Sequence, residues 1–299
     1  MTADTLTGRT IAGYHLTRYV GEGGTATVYR AEHPERGVAA VKILRARLAQ
    51  DPVAVKRFLR EAEYGARIHH PNIVQTYDYG QADGLHYLAL EWAEGEPLAE
   101  FVNRSGNLAP SLVAKIVEQI GAALTAAHRA GIIHRDLKPA NIMYDPAQQT
   151  AKLLDFGIAR DAEMSPEERL TRAGFFVGTL QYVAPETLSG ELVNEQADVY
   201  SLATITYYLL TGALPFLGKS PRELFQQLLT QPPVKLNEAR RGLRFPPAVE
   251  STVMQGLERD LSKRCRTVEE FARAFCAAVQ DEPSKRPGFF AGLFRKGGE

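Results

Sequence analysis

The sequence lacks several residue types and patterns, and each shortage excludes a class of protein. Only two cysteines occur, Cys265 and Cys276, too few for a zinc site and poorly placed for a disulfide. We therefore expect reduced thiols, as in a cytosolic protein. No run of eighteen apolar residues is present, and the start does not resemble a secretory signal, so no transmembrane span is predicted. Basic and acidic residues number 35 each, and this balance gives no reason to expect nucleic-acid binding.

The composition and the order of patterns predict an α+β protein with two lobes. Hydrophobic residues make up 44% and charged residues 23% of a chain of 299 residues, which is longer than one compact core needs. Short strand-like runs and one helix, opened by Asp51 and Pro52, precede a mainly helical region. Within it, residues 199–210 are apolar on nearly every side and predict a buried helix, and a further helical stretch is predicted over about 247–279. The segments are an extension over 1–13, a strand-rich lobe over 14–90, a hinge over 91–95, a helical lobe over 96–279 and a tail over 280–299.

One stretch carries most of the functional information. His134-Arg135-Asp136-Leu137-Lys138-Pro139-Ala140-Asn141 is followed, fourteen residues after its end, by Asp155-Phe156-Gly157. An acid, a cation, an amide and a second acid are the groups that hold divalent metal ions, neutralise a transferring phosphoryl group and orient a hydroxyl. With these motifs in this order, the chain resembles a eukaryotic-type (Hanks-type) serine/threonine protein kinase. The residues around the motifs are similar to those of the bacterial branch of this family.

The resemblance implies a bilobal fold, with a small antiparallel β-sheet lobe carrying one helix and a larger, mainly α-helical lobe. It implies transfer of the γ-phosphate of ATP to serine and threonine hydroxyls of protein substrates in bacterial signalling. Mg²⁺, or Mn²⁺ in its place, is the implied cofactor, and self-association for autophosphorylation is a further expectation. The protein is then cytoplasmic, either by itself or as the cytosolic part of a membrane-anchored receptor kinase.

The resemblance assigns the catalytic roles residue by residue. Asp136 is the base that orients the substrate hydroxyl, and Lys138 steadies the γ-phosphate, as in members specific for serine and threonine. Asn141 and Asp155 would hold the metal, since hard oxygen ligands suit Mg²⁺.

A second group of residues would bind the phosphates from the strand-rich lobe. Lys42 lies in an apolar strand, where a lysine is costly unless it is paired. The natural partner is Glu61 on the predicted helix, and the pair would anchor the α- and β-phosphates.

The remaining nucleotide contacts come from the loop and the hinge. Residues 21–28 match the glycine-rich loop, except that its third glycine is Ala26 and Gly24 is additional; a hairpin turn would also explain this pattern. Leu90 would guard the back pocket. The residues implied to bind ATP are Val20, Gly21, Glu22, Gly23, Gly24, Val28, Ala40, Lys42, Glu91, Ala93 and Met143.

The resemblance implies regulatory residues in an activation segment, which begins at Asp155 and ends at Ala184-Pro185-Glu186. Thr179 would bond to Asp136 and Lys138. Arg135 would need an anionic partner, for which Thr171 is the candidate after phosphorylation, although a solvated loop threonine is the alternative. Outside catalysis, Glu186 should pair with Arg264, and Asp198 should brace the backbone around His134 and Arg135.

Two other functions remain as alternatives. A pseudokinase scaffold would keep the fold without the chemistry, but it would usually have lost Lys42, Asp136 or Asp155, and all three are present. A small-molecule kinase of related fold would lack the Gly178-Thr179 and Ala-Pro-Glu closure, which this chain has.

Overall fold

The computed structural model describes residues 6–154, 180–189 and 193–281. The first lobe is an antiparallel sheet of six strands in the order β1-β2-β3-β4-β6-β5, with one helix, α1, packed on it. The elements are β1 Thr10–Ile11, β2 Tyr14–Glu22, β3 Ala26–His33, β4 Gly37–Leu44, α1 Pro52–Ala66, β5 Thr76–Ala82 and β6 Leu85–Glu91. Strand β1 lies within the predicted extension and pairs with β2, with Ile11 opposite Tyr14 and fully buried.

Strand alternation separates the two faces of this sheet. In β4, Val41 and Ile43 belong to an apolar cluster on one face, whereas Leu44 packs in a second cluster with α1. Successive side chains of a strand point to opposite faces, so Lys42 lies on the same face as α1. The cross-strand neighbours of Lys42 are Val28 on β3 and Leu88 on β6.

Helix α1 begins as the sequence predicted. The Asp51 side chain accepts a hydrogen bond from the Val53 N–H at 2.9 Å, and Pro52 occupies the first turn. Phe58 and Ala62 are buried against the sheet, and Glu61, three residues after Phe58, lies on the same side of α1.

The second lobe is mainly helical. Its described helices are α2 Leu98–Ser105, α3 Pro110–Arg129, α4 Pro185–Ser189, α5 Gln196–Thr211, α6 Pro221–Thr230, α7 Pro247–Gly256 and α8 Val268–Gln280, with a small sheet of β7 Glu96–Pro97, β8 Ile142–Asp145 and β9 Thr150–Leu153. Helix α5 is buried on nearly every side, as its apolar sequence predicted. The fold class is thus the predicted bilobal one. No helix in the described ranges is long and apolar enough to cross a bilayer.

The predicted helical stretch over about 247–279 is interrupted between α7 and α8. Asp260 accepts hydrogen bonds from the backbone N–H and the hydroxyl of Ser262, a local turn that competes with helix formation. Thr267 then caps α8 by accepting from the Glu270 N–H at 3.1 Å. The interruption contains the free, buried Cys265, and Cys276 on α8 is also a free thiol.

A close approach between α5 and α7 depends on a glycine. A Cβ on Gly256 would lie 2.5 Å from the Cβ of Ala203 and 2.7 Å from the Cε2 of Phe271. The family that the sequence resembles usually has glycine at the position of Ala203. Since Ala203 and Phe271 are fully buried, neither can move into solvent.

We predict that Gly256→Ala lowers the free energy of unfolding by about 1–3 kcal/mol, because it overpacks this contact. Urea denaturation followed by circular dichroism measures the loss. Adding Ala203→Gly should restore part of it, since that change relieves the shorter of the two contacts. An unchanged unfolding midpoint in Gly256→Ala would contradict the assigned packing.

Candidate active site

Three of the predicted catalytic residues lie together in the loop between α3 and β8. The Lys138 Nζ lies 3.0 Å from the Asp136 Oδ2. The Asn141 Nδ2 donates to the same oxygen at 3.1 Å and to the Asp136 carbonyl at 2.8 Å. The Asp136 side chain is only 11% exposed, so its carboxylate is shielded but still open to a reacting group.

Asn141 can also supply an oxygen ligand to a metal ion. Asp136 binds the nitrogen of the Asn141 amide and not its oxygen, so the oxygen can serve as the ligand. An amide oxygen is a hard ligand that fits Mg²⁺, which combines one or two protein ligands with waters and phosphate oxygens. Asp155, the second predicted metal ligand, lies outside the described residues, as does Thr179.

The catalytic loop is fixed by a buried carboxylate on α5. Asp198 accepts hydrogen bonds from the backbone N–H groups of His134 at 2.8 Å and Arg135 at 3.0 Å, which confirms the predicted brace. Its third partner is the His128 Nε2 on α3 at 2.7 Å. Arg135 has a φ of +62°, a left-handed conformation that non-glycine residues adopt rarely, so these bonds hold the loop in a strained turn.

Burial and hydrogen bonding act in opposite directions on Asp198. Complete burial by itself would raise the pKa of this carboxyl, but the hydrogen bonds and charges of His128 and His134 outweigh it and lower the pKa below its ordinary value. Asp198 therefore stays ionised inside the lobe. Sequence reasoning missed His128; the available signal was a histidine six residues before His134 on an otherwise apolar helix face.

The side chain of Arg135 has an open bonding position. Within the part of the chain that the structure describes, its buried Nε has no hydrogen-bond partner. A buried guanidinium nitrogen without an acceptor is costly. Thr171, the predicted regulatory partner, lies outside the described residues.

Lys42 and Glu61 lie on the two surfaces that face each other inside the first lobe. Lys42 is half-buried on the inner face of β4, and Glu61 is half-buried on α1. Glu61 lines a small cavity together with Gly65, Val74, Thr76, Leu88, Leu90 and Leu153. The position of Leu90 there agrees with its expected place at the back of the pocket, and the ion pair between Lys42 and Glu61 stays a prediction.

The hinge is held to both lobes through Glu91. Its backbone N–H donates to the Gln75 carbonyl at 2.8 Å, and its carboxylate accepts from the Gln75 N–H at 3.2 Å. The other carboxylate oxygen pairs with Lys152 on β9. Because its backbone N–H is bonded to Gln75, Glu91 would bond to adenine through its carbonyl, which stays a prediction. Sequence reasoning did not identify Lys152.

The end of the hinge requires a glycine. Gly95 has a φ of +95°, and a Cβ there would lie 2.2 Å from the carbonyl oxygen of Tyr144 on β8. The chain therefore passes directly over β8, the strand that carries Met143.

The other predicted adenine contacts lie in the first lobe. Val28 and Ala40 lie on the inner face of the sheet, and Val20 on β2 is 47% exposed. That these residues and Ala93 enclose one adenine ring stays a prediction.

The glycine-rich loop is a tight hairpin between β2 and β3. The Gly23 N–H donates to the Ala26 carbonyl at 2.8 Å, while Gly21 and Gly24 have open space where a Cβ would stand. Ala26, the residue in place of the family's third glycine, is 7% exposed and packs with Leu44 in the cluster beneath the sheet. Its methyl group therefore contributes to the core.

The base of the predicted activation segment is fixed by an ion pair. The Arg264 guanidinium binds both oxygens of Glu186, at 2.7 and 3.2 Å, and both side chains are almost fully buried. Arg264 also donates to the carbonyl of Gln196 at 2.9 Å and lies over the ring of Tyr200. The predicted pairing of Glu186 with Arg264 is confirmed.

Comparison with known proteins agrees with this geometry. The family model described as "Protein kinase domain" matches residues 14–291. This chain belongs to the protein kinase family. Its serine/threonine branch is shown by the curated relatives, among them the serine/threonine-protein kinase pkn3 of Myxococcus xanthus, 38% identical over 93% of this chain and 52% of that protein. The serine/threonine-protein kinase PknH of Mycobacterium bovis is 37% identical over 93% and 46% respectively.

Solved structures resemble the whole fold. The kinase domain of Mycobacterium tuberculosis PknI aligns with a TM-score of 0.69 at 29% identity, covering 91% of this chain and 98% of that one. Rad53 1-466 in complex with AMP-PNP aligns with a TM-score of 0.72 at 27% identity, covering 88% and 65%. The chain spans about half the length of the curated relatives it matches.

We predict that Asp198→Asn destabilises this kinase domain by roughly 3 kcal/mol, because an amide cannot accept from all three N–H groups and one would face another donor. Urea denaturation near neutral pH measures the loss, and Asp260→Asn, which changes an exposed carboxylate, is the control. The lowered pKa means that the stabilisation is present above the unfolded carboxyl pKa of 3.8 and is lost at lower pH. An equal effect of the two substitutions would contradict the central role of Asp198.

Proposed function

We propose that this chain transfers the γ-phosphoryl group of ATP to serine and threonine hydroxyls of protein substrates. The observation that carries the proposal is the convergence of Lys138 and Asn141 on the carboxylate of Asp136, at 3.0 and 3.1 Å. Membership of the serine/threonine protein kinase family supports it. Since the chain spans only about half the length of its curated relatives, substrates and partners of the whole protein are part of the proposal.

The reaction needs a base and a cation at the same place. Asp136 orients the substrate hydroxyl and accepts its proton as the oxygen attacks the γ-phosphorus and the bond to the β-phosphate oxygen breaks. Lys138, which is bonded to that carboxylate, would offset negative charge on the transferred group. Asn141 offers its amide oxygen to Mg²⁺ together with Asp155. The bound ion would neutralise phosphate charge in the transition state.

The first lobe and the hinge hold the nucleotide. Lys42 on the inner face of β4 would bind the α- and β-phosphates, with Glu61 as its partner. Rad53 was solved in complex with AMP-PNP, a relation of fold that supports nucleotide binding in this cleft. Adenine would bond to the backbone of Glu91 and Ala93, between Val28 and Ala40 above and Met143 below.

The activity is expected in the cytoplasm, where ATP and reduced thiols are found. A pseudokinase would require a defect in the catalytic group, yet in the described part of the site Lys138 and Asn141 each bond to Asp136. The active enzyme is therefore the function that the geometry favours.

We predict that Asp136→Asn reduces phosphorylation of a generic protein acceptor by about 10²–10⁴-fold, while the Kd for ATP changes by no more than a few-fold. The physical reason is that Asp136 contacts the reacting hydroxyl and not the base or sugar of the nucleotide. Transfer of labelled phosphate and calorimetry measure the two quantities. Asp83→Asn, in the exposed hairpin between β5 and β6, is the control, and near-normal turnover in Asp136→Asn would remove the assignment.

Regulation by phosphorylation is the second part of the proposal. Arg135, whose Nε has no hydrogen-bond partner among the described residues, directly precedes Asp136 in the loop held by Asp198. Phosphorylated Thr171 would bring about −1.5 to −2 charges and oxygens suited to a guanidinium. We propose that this modification is made by a second copy of the chain and that it orders the activation segment.

Thr171→Ala should lower activity several-fold, whereas Ser165→Ala in the same segment should not. Mass spectrometry of the active enzyme should show phosphate on Thr171, and the rate of its incorporation per molecule should rise with protein concentration if two copies react. Full activity of Thr171→Ala with Thr171 unmodified in the wild-type enzyme would leave Arg135 as a structural cation only.

A further inference from the structure

Two arginines outside the glycine-rich loop hold its tip. Arg45 follows the last residue of β4, and Arg47 lies in the 3₁₀ turn Ala46–Leu48. The Arg45 Nη1 donates to the carbonyl of Gly23 at 3.2 Å, and the Arg47 Nη2 donates to the carbonyl of Gly24 at 2.8 Å. Two successive peptide groups of the loop are therefore bound by guanidinium groups.

Arg45 is itself oriented by the loop. Its Nη2 lies 2.6 Å from the Glu22 Oε1, and its backbone N–H donates to the Thr25 carbonyl at 3.0 Å. A charge-assisted contact of this length is stronger than a neutral hydrogen bond. The pair with Glu22 directs the guanidinium toward Gly23 and restricts its rotation.

Because the peptide bond is planar, the contacts of the arginines with the loop carbonyls also orient the backbone N–H groups that follow them. In a trans peptide, the C=O of one residue and the N–H of the next point in opposite directions. Holding the Gly23 and Gly24 carbonyls toward the arginines therefore directs the N–H groups of Gly24 and Thr25 away from them. In the described part of the chain, neither N–H donates to a protein acceptor, whereas the Gly23 N–H is used within the hairpin.

Apart from the arginines, few contacts among the described residues hold the loop tip. Cβ atoms added to Gly21 and Gly24 would meet no atom of these residues within 4 Å. Glycine backbones have the largest conformational entropy to lose on ordering. Two peptide groups that are already oriented lower the cost of ordering this loop around a ligand.

We propose that Arg45 and Arg47 are positioning residues that present the N–H groups of Gly24 and Thr25 to the phosphate groups of the nucleotide. This inference rests on the proposed function, since it requires ATP in the cleft. The arginines act on the phosphate part of the ligand and not on adenosine. Direct attraction between guanidinium groups and phosphate is the competing explanation.

Arg45→Met and Arg47→Met should each raise the Kd for Mg·ATP by about three- to tenfold, the effect of losing a hydrogen bond that orients a ligand group. The Kd for adenosine, measured by the same calorimetry, should stay within about twofold. Arg36→Met is the control, because Arg36 lies over the ring of Tyr77 in the turn from β3 to β4, at the end of these strands away from the loop. Thermal unfolding of each variant checks that the lobe stays folded.

Glu22→Gln separates orientation from direct attraction. It weakens the hold on Arg45 while removing a negative charge near the phosphates, so orientation predicts weaker ATP binding and direct attraction predicts equal or tighter binding. Equal or tighter binding in Glu22→Gln, wild-type ATP affinity in both arginine variants, or parallel losses for ATP and adenosine would each overturn the inference. If the wild-type protein bound adenosine but not Mg·ATP, the proposed function itself would fail as well.

Discussion

The active site depends on one buried carboxylate. Asp198 on α5 binds the backbone N–H groups of His134 and Arg135 and the ring of His128, so it fixes a turn in which Arg135 adopts a left-handed conformation. A neutral acceptor could not offset the cost of burying these donors as well as an ionised carboxylate does. The next residue in that turn is Asp136, so the turn sets the position of its backbone. Lys138 and Asn141 then hold its carboxylate. Helix α5, apolar and buried on nearly every side, is the rigid support that this arrangement needs.

A second constraint links the nucleotide site to the same lobe. Glu91 in the hinge is bonded to Gln75 in the chain entering β5 and to Lys152 on β9. The residue opposite Lys152 on β8 is Met143, the expected floor of the adenine site. The ion pair between Glu91 and Lys152 therefore connects the hinge to the small sheet that carries Met143. Gly95 lets the hinge cross β8 without a steric clash. Recognition of adenine by backbone groups depends on such ties, since backbone donors and acceptors can only be placed by the segments that carry them.

Much of this was predictable from the sequence because motifs report local chemistry. The turn that contains Asp136, Lys138 and Asn141 is short, so its residue types and spacing largely determine which side chains can meet. Strand alternation around Lys42 and the cap at Asp51 are likewise local. Partners distant in sequence were predictable only where the family supplied them, as for Asp198 and for Glu186 with Arg264. Lys152, Arg45 and Arg47 were missed because nothing in their immediate neighbourhood in the sequence indicates a contact with Glu91 or with the glycine-rich loop. His128 stands out locally as a histidine on an otherwise apolar helix face, but the sequence does not indicate which acid it meets, and only the packed chain brings it to Asp198.

The departures from the family pattern are explained by packing. Ala26 replaces a glycine, but its methyl lies in the core under the loop, so the glycines Gly23 and Gly24 still form the tip. Ala203 replaces another glycine, and the facing Gly256 leaves the space that its methyl occupies. In both places the methyl group is buried within a lobe. A substitution of this kind changes the core and leaves the cleft intact, because other residues position the segments that line the cleft. Asp198 fixes the catalytic turn, Lys152 binds the hinge, and Arg45 and Arg47 bind the loop tip.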